Sequence, residues 1–341
     1  MRVLLTGATG YVGSRVAARL AAAGHVVLAL VRPGGESRVP AGCRVVTGDI
    51  LDAGALKRAL SGCDALVHMA ALVKTWVRDA REFDRVNIEG VASVLRCAEE
   101  CGTGRIVYTS TIVALGPTDG GIRDETVDRS DFRFHTDYER SKWVADRLVR
   151  ERAASGSPVT TLYPGVVYGA GASTQGNLLR ATLESYLKGR LRVRLGRGDL
   201  RICYAFIDDV AEGHLLALEK GAPGRGYILG GENATQDRLF SILHELTGLR
   251  GPRRSMPYLA AEIAGRALRA ASWLTGIAPA FTDGVVSTFR HEWAYSSDRA
   301  CREIDYRITP FHEGLRRTLA GMGHGAPGPA GGPPGVERGA S

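Results

Sequence analysis

The sequence predicts an α/β fold in which a doubly wound parallel sheet is followed by a smaller, mostly helical C-terminal lobe. Three observations lead there. Short apolar runs alternate with helical patterns from Arg2 to about Tyr163, as expected of a parallel sheet covered on both faces. The first strand passes into the first helix through a glycine-rich turn. Beyond Pro164 the alternation gives way to Gly- and Arg-rich stretches and scattered helices, so a different architecture begins there.

The opening residues, MRVLLTGATGYVGSR, set the pattern. Arg2–Thr6 is an apolar strand built on Val3, Leu4 and Leu5. Gly7, Gly10 and Gly13 follow at three-residue spacing, and Val16, Ala17, Leu20 and Ala21 then recur on one helical face. Glycine suits a sharp turn whose backbone must approach a ligand. Such a turn aims the free N–H groups and positive end of the helix at an anion, the arrangement that holds a dinucleotide pyrophosphate in Rossmann-type sheets. Gly13 would let the helix pack closely on the strand. His25–Val31 reads as the second strand and ends in Arg32-Pro33-Gly34-Gly35. NAD-binding sheets usually carry an acid here for the ribose hydroxyls. This chain has Arg32 instead, with Arg38 nearby, and a guanidinium can form a fork onto a 2′-phosphate that an acid would repel. The expected cofactor is NADP(H), preferred over a still possible NAD(H).

The remaining elements follow in order. Cys43–Thr47 is a third strand, leading to Asp49-Ile50, and Leu51–Leu60 is a helix. Ala65–His68 is the fourth strand; Met69-Ala70-Ala71 after it is small enough to leave room for a ribose and phosphates, and His68 reads as structural. Asp84–Cys101 is a long helix carrying Asn87, for which an internal hydrogen bond is a sufficient reason. Cys97 and Cys101, four apart, read as two small buried side chains. Arg105–Thr109 is the fifth strand, Tyr138–Ala154 a helix and Val159–Tyr163 the next strand. A helix is expected near Leu178–Leu187, a strand end and helix over Tyr204–Glu219, a strand over Tyr227–Asn233 and a helix over Asp237–Thr247. Leu259–Ala280 is apolar but interrupted by Glu262, Arg266 and Arg269, and reads as an amphipathic helix covering a pocket. The implied organisation is a dinucleotide-binding domain over 1–168, with 204–220 returning to it, a substrate-binding region over 169–322, and a tail over 323–341. That tail is Gly, Pro and Ala with almost no large apolar residue, too little to order itself.

Composition narrows the class. The chain has 341 residues, 44% apolar and 23% charged, which is ordinary for a globular protein with a large core. The formal charge of +8 comes from scattered arginines, with short clusters at Arg190–Arg197 and Arg253–Arg254. No basic stripe is interleaved with aromatics, which argues against nucleic acid as a partner. The six cysteines show no metal-ligand spacing, and reduced thiols fit a cytoplasmic enzyme with no metal. No transmembrane segment is expected, while peripheral membrane contact stays open.

The chemistry lies in two further motifs. Tyr138 and Lys142 stand four apart, on one face of their helix. A phenol titrates near ~10, too high for efficient proton exchange at neutral pH, and an adjacent ammonium would lower that value. At the end of the fifth strand, Tyr108-Thr109-Ser110-Thr111 offers hydroxyls to a substrate oxygen.

TGATGYVG, HMAA, YTST, YxxxK and YPGVVYG occur in an order that resembles the short-chain dehydrogenase/reductase superfamily, in its extended, epimerase-like branch. VRPGG, FDRVNIEGV and IDDVAEGHLLALEKG look most like the dihydroflavonol-4-reductase and 3β-hydroxysteroid dehydrogenase-like group, and also resemble the hopanoid-associated sugar epimerase-like proteins. The resemblance implies a catalytic set of Thr111, with Ser110 its rival, Tyr138 and Lys142. Lys142 would also hold the nicotinamide ribose. It implies cofactor contacts from Gly7, Thr9, Gly10, Tyr11, Val12 and Gly13 at the turn, Asp49 and Ile50 beside the adenine, and Ala70 and Ala71. Pro164, Val166 and Val167 would flank the nicotinamide. The segment Asp124–Asp137 would set specificity. The expected activity is reduction of a ketone, or the reverse oxidation of a secondary alcohol, on a bulky apolar metabolite such as a flavonoid-, steroid-, terpenoid- or polyketide-like molecule. The alternative is a nucleotide-sugar epimerase or dehydratase with tightly bound cofactor, for which Arg190–Arg201 would bind the diphosphate. A homodimer through the Asp84–Cys101 and Tyr138–Ala154 helices is also implied.

Overall fold

The computed structural model describes residues 1–129, 132–171, 174 and 177–324, so the expected tail lies outside the described residues from 325 onward. Seven parallel strands form the central sheet: β1 (Arg2–Thr6), β2 (Val26–Val31), β3 (Arg44–Thr47), β4 (Ala65–His68), β5 (Arg105–Thr109), β6 (Val159–Pro164) and β7 (Gly226–Leu229). Their spatial order is β7-β6-β5-β4-β1-β2-β3. Period-two alternation explains why both faces are covered. Val3 and Leu5 point into one apolar core with Val27, Ala29 and Val31, whereas Leu4 points into the other with Leu28 and Leu30. Helices α1 (Tyr11–Ala22) and α5 (Ile207–Lys220) cover the first face. On the second lie α2 (Ala53–Leu60), α3 and α4 (Asp137–Ala154). Helix α3 runs from Arg81 to Glu100 and holds a π-turn at Arg85–Glu89.

The chain winds from β1 outward through β2 to β3, then crosses to β4 on the other side of β1. Ligands bind at such a reversal, outside the carboxyl ends of the strands. Asp52 caps α2 by accepting from Ala55 N (3.0 Å), and Thr136 caps α4 by accepting from Glu139 N (3.1 Å). The helix expected over Tyr204–Glu219 returns to the sheet as α5, and β7 joins the sheet edge beside β6.

Two expectations are corrected. Cys97 is buried, but Cys101 is exposed because α3 ends at Glu100 and Cys101 caps it. The apolar stretch does form a helix, α7 (Tyr258–Thr275), which follows α6 (Gln236–Thr247), but it does not cover the central cavity. Only the small residues Ala261, Gly265 and Ser272 are buried, and they seat the helix on the loop entering Asp283–Thr288, where a Cβ at Gly265 would lie 2.4 Å from Asp283 N. The larger apolar side chains therefore face outward.

Candidate active site

A cavity of about 640 Å³ opens at the carboxyl ends of β1, β2, β4, β5 and β6, within the ~300–1,000 Å³ range of small-molecule sites. Its floor is the glycine turn. Gly7 has φ +81°, and a Cβ there would sit 2.8 Å from Ala70 N; a Cβ at Gly13 would sit 2.1 Å from Gly7 O. The close approach served by Gly13 is thus to the turn itself. Helix α1 begins at Gly10 with no capping side chain and no acid in its first turn, which leaves its N-terminal N–H groups for an anion. Thr6 pins the opposite lip. Its hydroxyl accepts from Met69 N and Ala70 N (3.2 Å each) and donates to His68 Nδ1 (2.7 Å). His68 is fully buried and held neutral, its pKa pushed down to about 3 by burial and by the charge of Lys142. This matches its expected structural part.

Every site residue expected from the sequence borders this one cavity. At the turn these are Gly7, Thr9, Gly10, Tyr11, Val12 and Gly13. At the strand ends they are Arg32, Asp49, Ile50, Ala70 and Ala71. Across from them lie Thr111, Tyr138, Lys142, Pro164, Val166 and Val167. Tyr11 also donates to Gly169 O (3.1 Å) and so ties the turn to the loop after β6. A smaller recess of about 250 Å³ adjoins the main cavity between Thr9 and Arg32-Pro33-Gly34-Gly35, with Arg38 on its wall. Arg32 and Arg38 are exposed, and among the described residues neither pairs with a carboxylate. The glycine cradle fits a dinucleotide, and the two exposed guanidinium groups stand at the recess beside it.

At the other end, Lys142 Nζ donates to Thr109 O (2.9 Å) and Tyr108 OH (3.1 Å), which uses two of its three protons. Burial pushes its pKa down to about 8, opposed by Asp146. The phenol of Tyr138 is raised above its ordinary value by desolvation. The expected lowering of the Tyr138 pKa by Lys142 is therefore corrected: burial dominates, and the ammonium is turned toward β5. Thr111 Oγ1 accepts from Val113 N (3.3 Å), which leaves its own proton free to point into the cavity. Ser110 is buried, with its hydroxyl oxygen unpartnered.

Two polar groups lie behind the site: Asn87 makes the internal hydrogen bonds expected of it, whereas Arg129 and Glu139 were not singled out in the sequence. Asn87 accepts from Leu72 N (2.7 Å) and donates to Leu72 O (3.1 Å) and Ser141 Oγ (3.0 Å), joining the loop after β4 to α4. Arg129 and Glu139 form a buried ion pair (2.6 Å), and Glu139 also accepts from His135 N (2.7 Å). The pair anchors the segment expected to set specificity, of which Ser130 and Asp131 lie outside the described residues. The arginines of 190–201 do not border the cavity. Arg194, Arg197 and Arg201 are instead paired with Asp237, Asp199 and Glu292.

The profile of the NAD dependent epimerase/dehydratase family matches residues 3–230. The chain is 33% identical over 260 residues to sterol demethylase protein B of Methylococcus capsulatus, covering 75% of this chain and 78% of that one. It is 30% identical over 320 residues to 4-hydroxy-2-methyl-3-oxo-4-farnesyl-3,4-dihydroquinoline-1-oxide ketoreductase of Stigmatella aurantiaca, covering 92% and 94%. The fold matches the NAD-bound crystal structure of DesIV, a dTDP-glucose 4,6-dehydratase from Streptomyces venezuelae, with a TM-score of 0.75 and 26% identity over 94% of this chain and 97% of that one.

Proposed function

Because the chain belongs to the NAD dependent epimerase/dehydratase family, as an NAD(P)-dependent oxidoreductase of the short-chain dehydrogenase/reductase type, we propose that it reduces a ketone on a bulky apolar metabolite with NADPH. One observation carries this reading. A single cavity runs from the glycine turn and the Arg32/Arg38 recess to the Thr111, Tyr138 and Lys142 side chains.

The glycine turn and α1 would hold the pyrophosphate, Arg32 and Arg38 the 2′-phosphate, and Lys142 a ribose hydroxyl with its third proton. When bound, the reduced nicotinamide supplies a hydride. Tyr138 borders the cavity and holds its proton at neutral pH, so it can be the acid for a carbonyl oxygen. Burial raises its pKa and makes it a weaker donor, and a positive charge beside it would bring that value down. Thr111 donates a hydrogen bond to the same oxygen and fixes its distance from the phenol. The wall beyond Thr111 carries Ile112 and Val113 on the cavity, and among the described residues no carboxylate stands beside Thr111 to serve as the extra acid or base of a dehydratase. The relatives named above suit an apolar ketone, one name carrying a sterol and the other a farnesylated ring ketone. The nucleotide-sugar alternative has the likeness to DesIV behind it, but Arg190, Arg192, Arg194, Arg197 and Arg201 lie off the cavity and three of them are paired. A homodimer through α3 and α4 and a cytoplasmic location belong to the same reading. Among the described residues no helix is long and apolar enough to cross a membrane.

The test is NADPH consumption by the purified protein over a panel of steroid, terpenoid and polyketide ketones. Arg32→Asp should erase the preference for NADPH over NADH, about tenfold or more for a lost charged hydrogen bond. Equal dissociation constants for the two cofactors in the wild type would overturn the cofactor assignment. Isomerisation of a nucleotide sugar without net NADPH loss would overturn the reductase reading.

A further inference from the structure

Two sequence features have no part in the cavity: the arginine clusters and the apolar stretch now seen as α7. The fold brings them together. Strand 193–195 pairs in parallel with strand 254–256, Arg254 lying opposite Val193, so the two arginine clusters enter side by side at one end of this ribbon. The second strand then leads into α7. Among the described residues Arg190, Arg192, Arg250, Arg253 and Arg254 are exposed and make no ion pair with a carboxylate. Along α7 and just beyond it, Leu259, Ile263, Ala267, Ala270, Leu274 and Ile277 recur at spacings of three and four and are all exposed. Leu274 is 90%, Ile277 71% and Leu259 68% exposed, and Trp273 stands at the flank. The acids bordering this stripe are already neutralised, Glu262 by Arg290 (2.8 Å) and Asp283 by Arg266 and Arg269 (3.8 and 3.1 Å).

We propose that this face docks onto an anionic lipid surface, with α7 lying in the plane of the headgroups and the arginines of the 190–192 and 250–254 segments contacting lipid phosphates. Two physical terms add on one face: burial of a contiguous apolar stripe and attraction of unpaired guanidinium groups to negative charge. Exposed apolar surface of this extent marks an interaction site. A second copy fits it less well, because it would bring the same positive rim and the same formal charge of +8. Its charged residues and 18-residue length make α7 a helix that lies on a bilayer, consistent with no described helix being able to cross one. Docking also places the bilayer beside the site. Helix α7 packs on Asp283–Thr288, whose Ser287 is hydrogen-bonded to His135 (2.8 Å), three residues before Tyr138. The face stands apart from the reductase reading, since lipid binding is measured without substrate.

The experiment is co-flotation of the full chain with vesicles of phosphatidylcholine alone and of phosphatidylcholine mixed with phosphatidylglycerol, at low and high salt. The wild type should float with the anionic vesicles, bind neutral ones weakly, and be released by salt. Ile263→Glu combined with Leu274→Glu, and separately Arg253→Glu combined with Arg254→Glu, should each weaken binding by roughly tenfold or more while leaving the melting temperature unchanged, because all four side chains are exposed. A wild type that stays unbound, or variants that float like it, would overturn the proposal. So would a dimer, seen by light scattering, that Ile263→Glu with Leu274→Glu dissociates while no vesicle binding is found; the face would then pair two copies.

Discussion

Tyr138 keeps its proton and Lys142 is inclined to lose its own, both because burial penalises charge. For Tyr138 the consequence is a phenol that is protonated at neutral pH. Tyr138→Phe keeps the ring and removes the proton, so turnover should fall by ~10²–10⁴-fold while NADPH binding is retained. Stopped-flow turnover beside a fluorescence titration checks it; near-normal turnover would remove Tyr138 from the chemistry. Thr111→Ser should stay active and Thr111→Val should not, since only the hydroxyl is used. For Lys142 the pKa of about 8, down from 10.5, means that the free enzyme carries the charge below that pH and loses it above. The NADPH dissociation constant should therefore weaken as pH rises through 8, a flat profile to pH ~9.5 being the contrary result. Tyr138 and Lys142 were legible as a pair because helical spacing alone puts residues four apart on one face. The direction of their coupling was not legible, because it depends on Tyr108 and Thr109, which the fold delivers from β5 to the lysine.

At the scale of elements, the turn after β1 was legible for a local reason: the glycines answer to backbone that a Cβ would block at Gly7 and Gly13. What was not legible is how irregular segments are fastened. Arg129 and Glu139 stand ten positions apart with no pattern to join them, and only the packed structure removes both from water. Breaking such a pair leaves one charge buried alone, at a cost of about 3–5 kcal/mol. Glu139→Gln should lower the denaturant midpoint accordingly and loosen the segment before Tyr138, raising KM more than it lowers kcat; an unchanged midpoint would show that the pair is dispensable. The outward face of α7 was misread for a similar reason. Apolar periodicity states that a helix has an apolar side, but not which neighbour covers it, and here small residues make the packed seam.

For the whole molecule, the alternation of strands and helices was enough to give the doubly wound sheet, since the inner strands are covered on both faces and only the edge strand β3 is largely exposed. The addition of β7 at the edge was less visible, because it comes after a long irregular stretch. The core also sets an acid limit. His68 and His214 are fully buried, with pKa values pushed down by desolvation to about 3 and about 4. Between pH 6.5 and 4 the unfolded chain takes up a proton at each and the folded chain does not, so stability falls as pH falls, by up to ~1.4 kcal/mol per pH unit for each histidine. The urea midpoint should drop between pH 7 and pH 5, and an unchanged midpoint would mean that these histidines are charged in the fold. The central claim is net reduction of a carbonyl, and isotope transfer tests it most directly. With NADPH deuterated at the transferable position of C4 and a ketone that the panel identifies, mass spectrometry should find one deuterium on the new carbinol carbon for each NADPH consumed. Product formed without deuterium and without net loss of NADPH would contradict the account and make the enzyme an isomerase or lyase.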